Sequence, residues 1–413
     1  MVKVAILGYG IVGSGVAEVI RNNADSISFN SGQDIVVEKI LDVRDFDKSP
    51  DALLLTKNPE DIFDNKEISI VVETIGGAGI AYEFTRRALL AGKSVVTSNK
   101  ELVATHGPEL LQLARDQKVS YMFEASVGGG IPIIRPLQQC LAANKITGIL
   151  GILNGTTNYI LTKMKLEGKD FAEALKEAQV NGYAEANPTS DVEGQDTCRK
   201  IAILSALAYG EMVDYNRIST KGISAITLVD MKYADRLGRK IKLLAMSRKL
   251  EEGVYARVSP VMLPSGHPLA NVEDVFNGIM IRGNAVGDAM FYGRGAGKLP
   301  TASAVVADII DIAMHEANSK PAVWTISEEN NVVDIRNYDS AWFVRLDVAD
   351  KQSALEFVEK LIGNVSVVTL HGYENELAFT TGLANEGFLV DSITGLEGKD
   401  GINKIISCIR MYQ

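Results

Sequence analysis

The sequence predicts an α/β protein: a doubly wound parallel sheet, then an α+β middle domain, then a small α+β module. Three observations carry this. A short apolar run, Val2 to Leu7, leads straight into Gly8-Tyr-Gly10-Ile11-Val12-Gly13 and a stretch of helical spacing. Mostly apolar strands then alternate with helical segments, the order of a parallel sheet covered on both faces. From Tyr338 the order changes to strand, helix, strand, strand, which suits a compact module with an antiparallel sheet.

At 413 residues the chain is long enough for two or three domains, each with its own core. A hydrophobic content of 46% and a charged content of 23% are ordinary for a soluble globular protein. The net charge of −10 lacks the basic footprint of nonspecific nucleic-acid binding, so no nucleic-acid partner is expected. A local basic pocket for a nucleotide is still compatible with it. No apolar run reaches the roughly 18 residues of a membrane span, and Met1 opens on a strand without a secretory pattern. Cys140, Cys198 and Cys408 form no CxxC pair and are odd in number, so reduced thiols in a cytoplasm are expected.

In the first element, strand, glycine turn and helix follow one another, the context in which GxGxxG points to a dinucleotide. Gly8 permits the tight turn, Gly10 lets the backbone approach a pyrophosphate, and Gly13 lets helix and strand pack closely. The helix N-terminus, from Ile11 and Val12 onward, offers amide donors to the phosphates. The next strand, Ile35 to Leu41, ends in Asp42-Val-Arg44. An acid there would hold the ribose hydroxyls of NAD, and an Arg would favour the 2′-phosphate of NADP. The chain offers both, and the expectation is NADP with NAD tolerated.

Ile68 to Glu73 and Ser94 to Thr97 are further strands, with a helix over Ile80 to Ala91 between them. Ser98-Asn99-Lys100 then falls beyond a strand's carboxyl end, where ligands of such sheets sit. Val119 to Glu124 reads as a strand leading into Ala-Ser-Val127-Gly-Gly129-Gly-Ile131-Pro132. Its carbonyls beside Glu124 could cage a hard cation, but the residues by themselves favour an interdomain joint. The first domain is expected to span residues 1–132.

The second domain, residues 133–300, opens with a strand over Ile146 to Leu153 and a polar turn, Asn154-Gly-Thr-Thr-Asn158. Helices are expected over Tyr159 to Glu167, Asp170 to Asn181 and, with a basic face, Ile226 to Leu244. Ala256 to Met262 reads as a strand, and Val275 to Val286 as two short strands or a hairpin around Gly283-Asn284. The glycine-rich segment Tyr292 to Pro300 precedes a helix over 301–318, expected to return to the first domain. In the module 338–413, Ala341 to Val348, Val365 to His371 and Glu376 to Leu383 read as strands, and Ser353 to Leu361 as a helix. Asn385 to Phe388 reads as connecting structure, and Ile402 to Met411 as strand or helix.

One stretch organises the rest. Between Gly182 and Lys200, the carboxylates Glu185, Asp191, Glu193 and Asp196 precede Arg199 and Lys200. Asp196 and Lys200 are four apart and share a helix face. The helix that follows, Ile201 to Tyr209, is apolar almost all round and reads as a core helix. An Asp and a Lys at the mouth of a buried helix point to a site rather than to a solvated cap.

Together, the glycine turn, Thr97-Ser-Asn-Lys100, Glu124-Ala-Ser-Val-Gly-Gly-Gly-Ile-Pro132, Asn154-Gly-Thr-Thr-Asn-Tyr159 and Tyr183-Ala-Glu-Ala-Asn-Pro-Thr-Ser-Asp191-Val-Glu-Gly-Gln-Asp196-x-x-x-Lys200 strongly resemble the homoserine dehydrogenases. The likeness runs over roughly residues 1 to 320, and the last motif is highly specific. It implies a Rossmann cofactor domain, a substrate and dimerisation domain, and a C-terminal module that looks like a ferredoxin-like ACT domain. It implies interconversion of L-aspartate 4-semialdehyde and L-homoserine with NAD(P)H, on the route to threonine, isoleucine and methionine, by a homodimer or homotetramer. Carried over by residue, it makes Lys200 the proton donor, with Asp191 beside the reacting centre and Glu185 and Asp196 holding the amino acid. Lys100 would touch NADP, with Gly182 and Gly297 giving it backbone contacts. Glu124 with the carbonyls of Val127, Gly129 and Ile131 would bind a sodium ion, which reverses the residue-level preference for a joint. An amino-acid effector is expected at the ACT-like module. Asp350-Lys-Gln-Ser353 departs from the Pro-Gly that often follows this Lys in ACT domains, which weighs against threonine inhibition.

The chemistry agrees with these roles. An acidic loop suits the substrate ammonium, because opposite charges attract strongly once water is excluded. Hydride arriving at an aldehyde builds negative charge on oxygen, which a nearby Lys can stabilise and protonate. In the oxidative direction that Lys must first lose a proton, so alkaline pH is expected to favour it. Two rivals explain less. A thioester mechanism through Cys140 or Cys198 lacks a His close in sequence to either. A non-enzymatic cofactor sensor leaves the Glu185 to Lys200 stretch without a purpose.

Overall fold

Strand β1 (Val2–Leu7) ends at Gly8, whose φ of +92° turns the chain at once into helix α1 (Ile11–Asn22). Gly10 takes the N-cap position, so the helix begins at Ile11. Then follow α2 (Ala24–Ser31), β2 (Ile35–Leu41), β3 (Leu55–Thr56), α3 (Glu60–Phe63), β4 (Ile68–Glu73), α4 (Gly79–Leu90), β5 (Ser94–Thr97), α5 (Lys100–Asp116), β6 (Tyr121–Met122) and α6 (Ile134–Gln138). The computed structural model describes residues 1–315, 324–325 and 330–413. They cluster into two compact units, each discontinuous in sequence: Met1–Ile149 with Arg199–Tyr215 and Ile279–Asn330, and Leu150–Cys198 with Asn216–Gly278 and Asn331–Gln413.

In the first unit the strand order is β3-β2-β1-β4-β5-β6, with every pairing parallel. This is the doubly wound sheet that the sequence predicts. The order reverses between β1 and β4, and ligands of such sheets bind beyond the carboxyl ends at that switch point. Val4 to Leu7 and Ile70 to Val72 are buried, as strands covered on both faces require. Of the strand expected over Val119 to Glu124 only Tyr121–Met122 pairs, and Glu124–Ser126 is a 3-10 turn. Helix α5 contains Gly107-Pro108, which hides it from a sequence reading. A Cβ at residue 107 would lie 2.4 Å from the Trp324 indole, so a packing contact demands the glycine.

The middle of the chain supplies β7 (Ile146–Ile152), α7 (Gly155–Glu167), α8 (Phe171–Val180), α9 (Thr189–Val192), α10 (Gln195–Tyr209), β8 (Ser219–Thr220), α11 (Leu228–Arg236), β9 (Arg239–Lys249), β10 (Val254–Pro264), β11 (Phe276–Gly283), β12 (Gly287–Arg294) and α12 (Lys298–His315). The helix expected over Ile226 to Leu244 is two elements. Gly238, at φ +66°, ends the helical stretch, and the apolar run beyond it pairs with β10 along its whole length. The helix expected over 301–318 begins at Lys298, and residues 316–318 lie outside the described residues. Its Ala302, Val305, Ile309 and Ile312 share one core with Val16 and Ile20 of α1 and Ile27 of α2. The cofactor-type sheet is thus completed by residues nearly 300 positions downstream.

The tail adds β13 (Asp339–Val348), α13 (Lys351–Ile362), β14 (Val365–Val368), β15 (Glu376–Thr381), β16 (Ala384–Asn385), α14 (Glu386–Thr394) and β17 (Ile402–Met411). In the second unit β17, β13, β15 and β14 pair in that order, all antiparallel. With α13 and α14 this is a βαββαβ module of ferredoxin-like topology. The segment read as connecting structure at Asn385 to Phe388 starts α14, because the Asn385 side chain accepts from the Phe388 amide at 3.0 Å. The ambiguous Ile402 to Met411 is a strand. It pairs with β10 as well as β13, so the module's sheet is continuous with β9 and β10.

Candidate active site

The glycine turn has the geometry of a phosphate cradle. A Cβ on Gly13 would fall 1.9 Å from the Gly8 carbonyl oxygen, so only glycine lets α1 pack this closely on β1. Around Gly10 the nearest group is the Arg44 guanidinium, 3.9 Å from where a Cβ would be. Ile11 is exposed, and no cap side chain bonds the first amides of α1. Arg44 is held there by Asp42, whose carboxylate accepts from Arg44 Nε at 3.0 Å, Arg44 Nη2 at 2.8 Å and the amides of Arg44 and Tyr9 at 2.9 and 2.7 Å. Those bonds, Arg44's first, hold the Asp42 carboxyl far below the usual carboxylate range. An ionised carboxylate has about four acceptor positions, and Asp42 has filled them from within the protein. The residues therefore fit a dinucleotide.

Beyond the ends of β4 and β5 a buried network sets the start of α5. Glu73 accepts from the Ile75 and Gly76 amides at 2.7 and 3.2 Å and from Thr97 Oγ1 at 2.6 Å. Burial pushes its carboxyl up, against the pull of those bonds. Thr97 in turn accepts from the Asn99 amide, and the Asn99 side chain caps α5 through Leu102. Lys100, half-buried, is the first residue of that helix.

Glu124 is buried and spends both carboxylate oxygens on the amides of Ile133, Ile134 and Arg135 at 2.7, 2.8 and 2.7 Å, at the start of α6. Its own amide donates to Asp308 at 2.9 Å, and Arg135 donates to Asp308 at 2.6 Å. Burial, with the Glu124 charge adding to it, pushes the Asp308 carboxyl up to about 8. Val127 and Ile131 are buried, and Gly129 takes φ +58°. A Cβ on Gly129 would meet the Gly295 carbonyl at 2.2 Å, so the two glycine-rich loops of the first unit pack backbone on backbone. Gly297, at φ +122°, precedes α12 in the same loop. Among the described residues no group of three or more His, Cys, Asp or Glu is placed to hold a metal ion.

The acidic stretch divides on folding. Asn154 takes the N-cap of α7 by accepting from the Thr157 amide at 2.8 Å, which leaves its side-chain amide free to donate. That amide donates to Asp191 at 2.7 Å and to Asp196 at 2.9 Å. Two carboxylates from the acidic stretch are therefore gathered at one helix N-terminus, where negative charge is favoured. Asp196 and Lys200 are both buried, one turn apart on α10. Glu185 stays exposed on the loop after α8, which is tied down by Thr156 donating to the Tyr183 carbonyl at 2.6 Å. Gly182, at φ +72°, is exposed at the start of that loop.

Two residues that sequence reasoning passed over emerge here. Asn154 stands in the polar turn before α7, but nothing local says that its amide collects acids 37 and 42 positions away. Asp308 had a faint signal, since Asp308 and Asp311 are three apart on an otherwise apolar helix.

Family models match the chain twice: homoserine dehydrogenase over residues 132–310 and homoserine dehydrogenase, NAD binding domain, over residues 8–124. The homoserine dehydrogenase of Neisseria gonorrhoeae is 40% identical over 99% of this chain and 98% of its own length. The crystal structure of a homoserine dehydrogenase from Thiobacillus denitrificans superposes with a TM-score of 0.93 at 38% identity, covering 100% of this chain and 98% of that one. A hyperthermophilic archaeal homoserine dehydrogenase in complex with NADPH superposes with a TM-score of 0.64 at 31% identity, covering 75% of this chain and 97% of that one.

Proposed function

The chain belongs to the homoserine dehydrogenase family, and from that premise we propose how its residues share the work. The reaction interconverts L-homoserine and L-aspartate 4-semialdehyde with a nicotinamide cofactor, in the biosynthesis of threonine, methionine and isoleucine. The bound cofactor supplies or accepts the hydride. Everything else is asked of the side chains.

Lys200 gives the proton to the aldehyde oxygen as charge builds there, and takes it back in the oxidative direction. Asp196 and Glu185 hold the amino-acid end of the substrate, and Asp191 stands beside the reacting carbon. The observation that carries this assignment is the shared grip of Asn154 on Asp191 and on Asp196, the latter one helical turn before Lys200. Glu185, exposed on its loop, would be recruited as that loop meets substrate. Lys100, at the start of α5, would touch the cofactor, as would Gly182 and Gly297 with their backbones.

NADP is the preferred cofactor on this reading. The acceptor positions of Asp42 are taken, so it is poorly placed to grip ribose hydroxyls, while the Arg44 side chain remains largely open to solvent beside Gly10. A sodium ion would use the one carboxylate position left on Glu124 with the carbonyls of Val127, Gly129 and Ile131.

We assign cofactor binding to residues 1–132 completed by α12, substrate binding and dimerisation to 133–300, and an ACT-like regulatory role to 338–413. The βαββαβ order of the last supports that role. A homodimer or homotetramer in the cytoplasm completes the proposal. Initial rates with homoserine and either NADP or NAD, with and without threonine, test it. We expect faster turnover at low NADP than at equal NAD, and little response to threonine.

A further inference from the structure

Strands β9 and β10, the start of β13 and the end of β17 line an open cavity of about 460 Å³ within the second unit. Its lining includes Arg248, Tyr255, Arg257, Tyr338, Ser340 and Tyr412. None of these residues belongs to the site described above. The volume falls in the range of small-molecule pockets.

Arg257 is the unusual member. It is only 7% exposed, and its Nε and Nη1 are wholly buried with no hydrogen-bond acceptor among the described residues. The small part of the side chain that lines the cavity therefore lies elsewhere, and a ligand there would answer its charge rather than those two donors. Among the described residues its one ion-pair partner is Glu386, 3.7 Å from Nη1. That carboxylate is already committed to Arg410, which reaches it through Nε at 3.1 and 3.2 Å and through Nη2. Two buried guanidiniums thus share one carboxylate, and Arg248, exposed on the same cavity, adds a third positive charge. A buried cation with unused donors costs free energy unless something neutralises it. An Arg fork is shaped for a carboxylate or a phosphate. Beside it, Tyr255 and Tyr338 meet edge to face with ring centroids 5.3 Å apart, an apolar wall for the rest of a ligand.

We propose that this cavity binds a small organic anion, its carboxylate or phosphate head on Arg257 and its apolar body against Tyr255 and Tyr338. The site is independent of the catalytic reading, because none of its residues is assigned to the reaction. It sits where the C-terminal module joins β10.

The test is calorimetric titration of the full-length protein with phenyl phosphate, benzoate and inorganic phosphate. The first two separate the head groups, and the third asks whether the head alone suffices. At least one of the aryl probes should bind at one site per chain. Arg257→Gln should weaken that binding roughly tenfold or more, the scale of a lost charge-assisted hydrogen bond. Arg248→Gln, at an exposed position, should weaken it less and keeps the test open if the Arg257 variant does not fold. No saturable binding of either aryl probe up to about 5 mM, where even weak sites fill, would overturn the proposal. So would binding that is unchanged in whichever of the two variants fold.

Discussion

The side-chain amide of Asn154 lies 2.9 Å from the buried carboxylate of Asp196, and the same amide reaches Asp191 at 2.7 Å. Because Asn154 also caps α7, one side chain ties a helix start to both acids. Removing it takes this shared tie from both carboxylates and the side-chain acceptor from the Thr157 amide. We expect Asn154→Ala to lower kcat/KM for homoserine by roughly 10- to 100-fold, from the loss of charge-assisted bonds. Cofactor affinity, measured by fluorescence titration of NADPH, should be nearly unchanged. Equal losses in substrate and cofactor binding would mean that Asn154 holds the fold rather than the substrate acids.

Arg44 offers a second test. Asp42 is occupied by Arg44 and by the Tyr9 amide, so deleting the guanidinium removes phosphate affinity and opens acceptor positions on Asp42. Arg44→Ser should raise KM for NADP about tenfold, on the scale of one charged contact, and lower or leave unaltered that for NAD. A parallel rise in both values would point to collapse of the turn.

The glycine turn can be probed sterically. An added methyl at Gly13 would lie 1.9 Å from the Gly8 oxygen and 2.8 Å from Thr74 Oγ1. Backbone has to move to admit it. Gly13→Ala should destabilise the fold by about 1–3 kcal/mol, the usual cost of overpacking. Saturating NADP should restore less of its melting temperature than it adds to the wild type, as thermal denaturation would read.

Lys242 supplies a prediction in pH. It is buried on β9 and donates to the Asn158 side chain at 3.0 Å and the Val272 carbonyl at 2.5 Å. Burial pushes its ammonium down to about 8 from an ordinary 10.5. Between those values the unfolded chain carries a proton that the folded chain does not, so folding becomes more favourable as pH rises. Lys242→Met has no such proton to lose. The stability of wild type minus variant should climb by about 3 kcal/mol from pH 8 to 10.5, given 1.36 kcal/mol per pK unit. A difference that stays flat across urea melts in that range would show that Lys242 remains charged when folded.

Much of this molecule was legible in its residues. The parallel sheet declared itself because fully buried strands read as unbroken apolar runs, as Ile70 to Val72 do. The acidic stretch before α10 stood out because a buried helix followed it. What stayed hidden depends on distant partners. The amide of Asn154 has no local reason to seek Asp196. Gly107-Pro108 looks like a helix break until Trp324 packs against it. The strand β9 looked helical because Leu and Ile suit both states, and Gly238 decided between them. Glu185 shows the opposite limit: its motif assigned it to substrate, and the fold leaves it exposed on a loop.

The central claim is that Lys200, buried one turn beyond Asp196, handles the proton. The most direct test is homoserine-dependent NADPH formation by Lys200→Ala beside the wild type, with NADPH binding measured on the same samples. The account requires a fall in kcat of roughly 100-fold or more, the scale of general acid–base catalysis, with cofactor affinity retained. Turnover near the wild-type value, with intact cofactor binding, would take the proton away from Lys200 and contradict it.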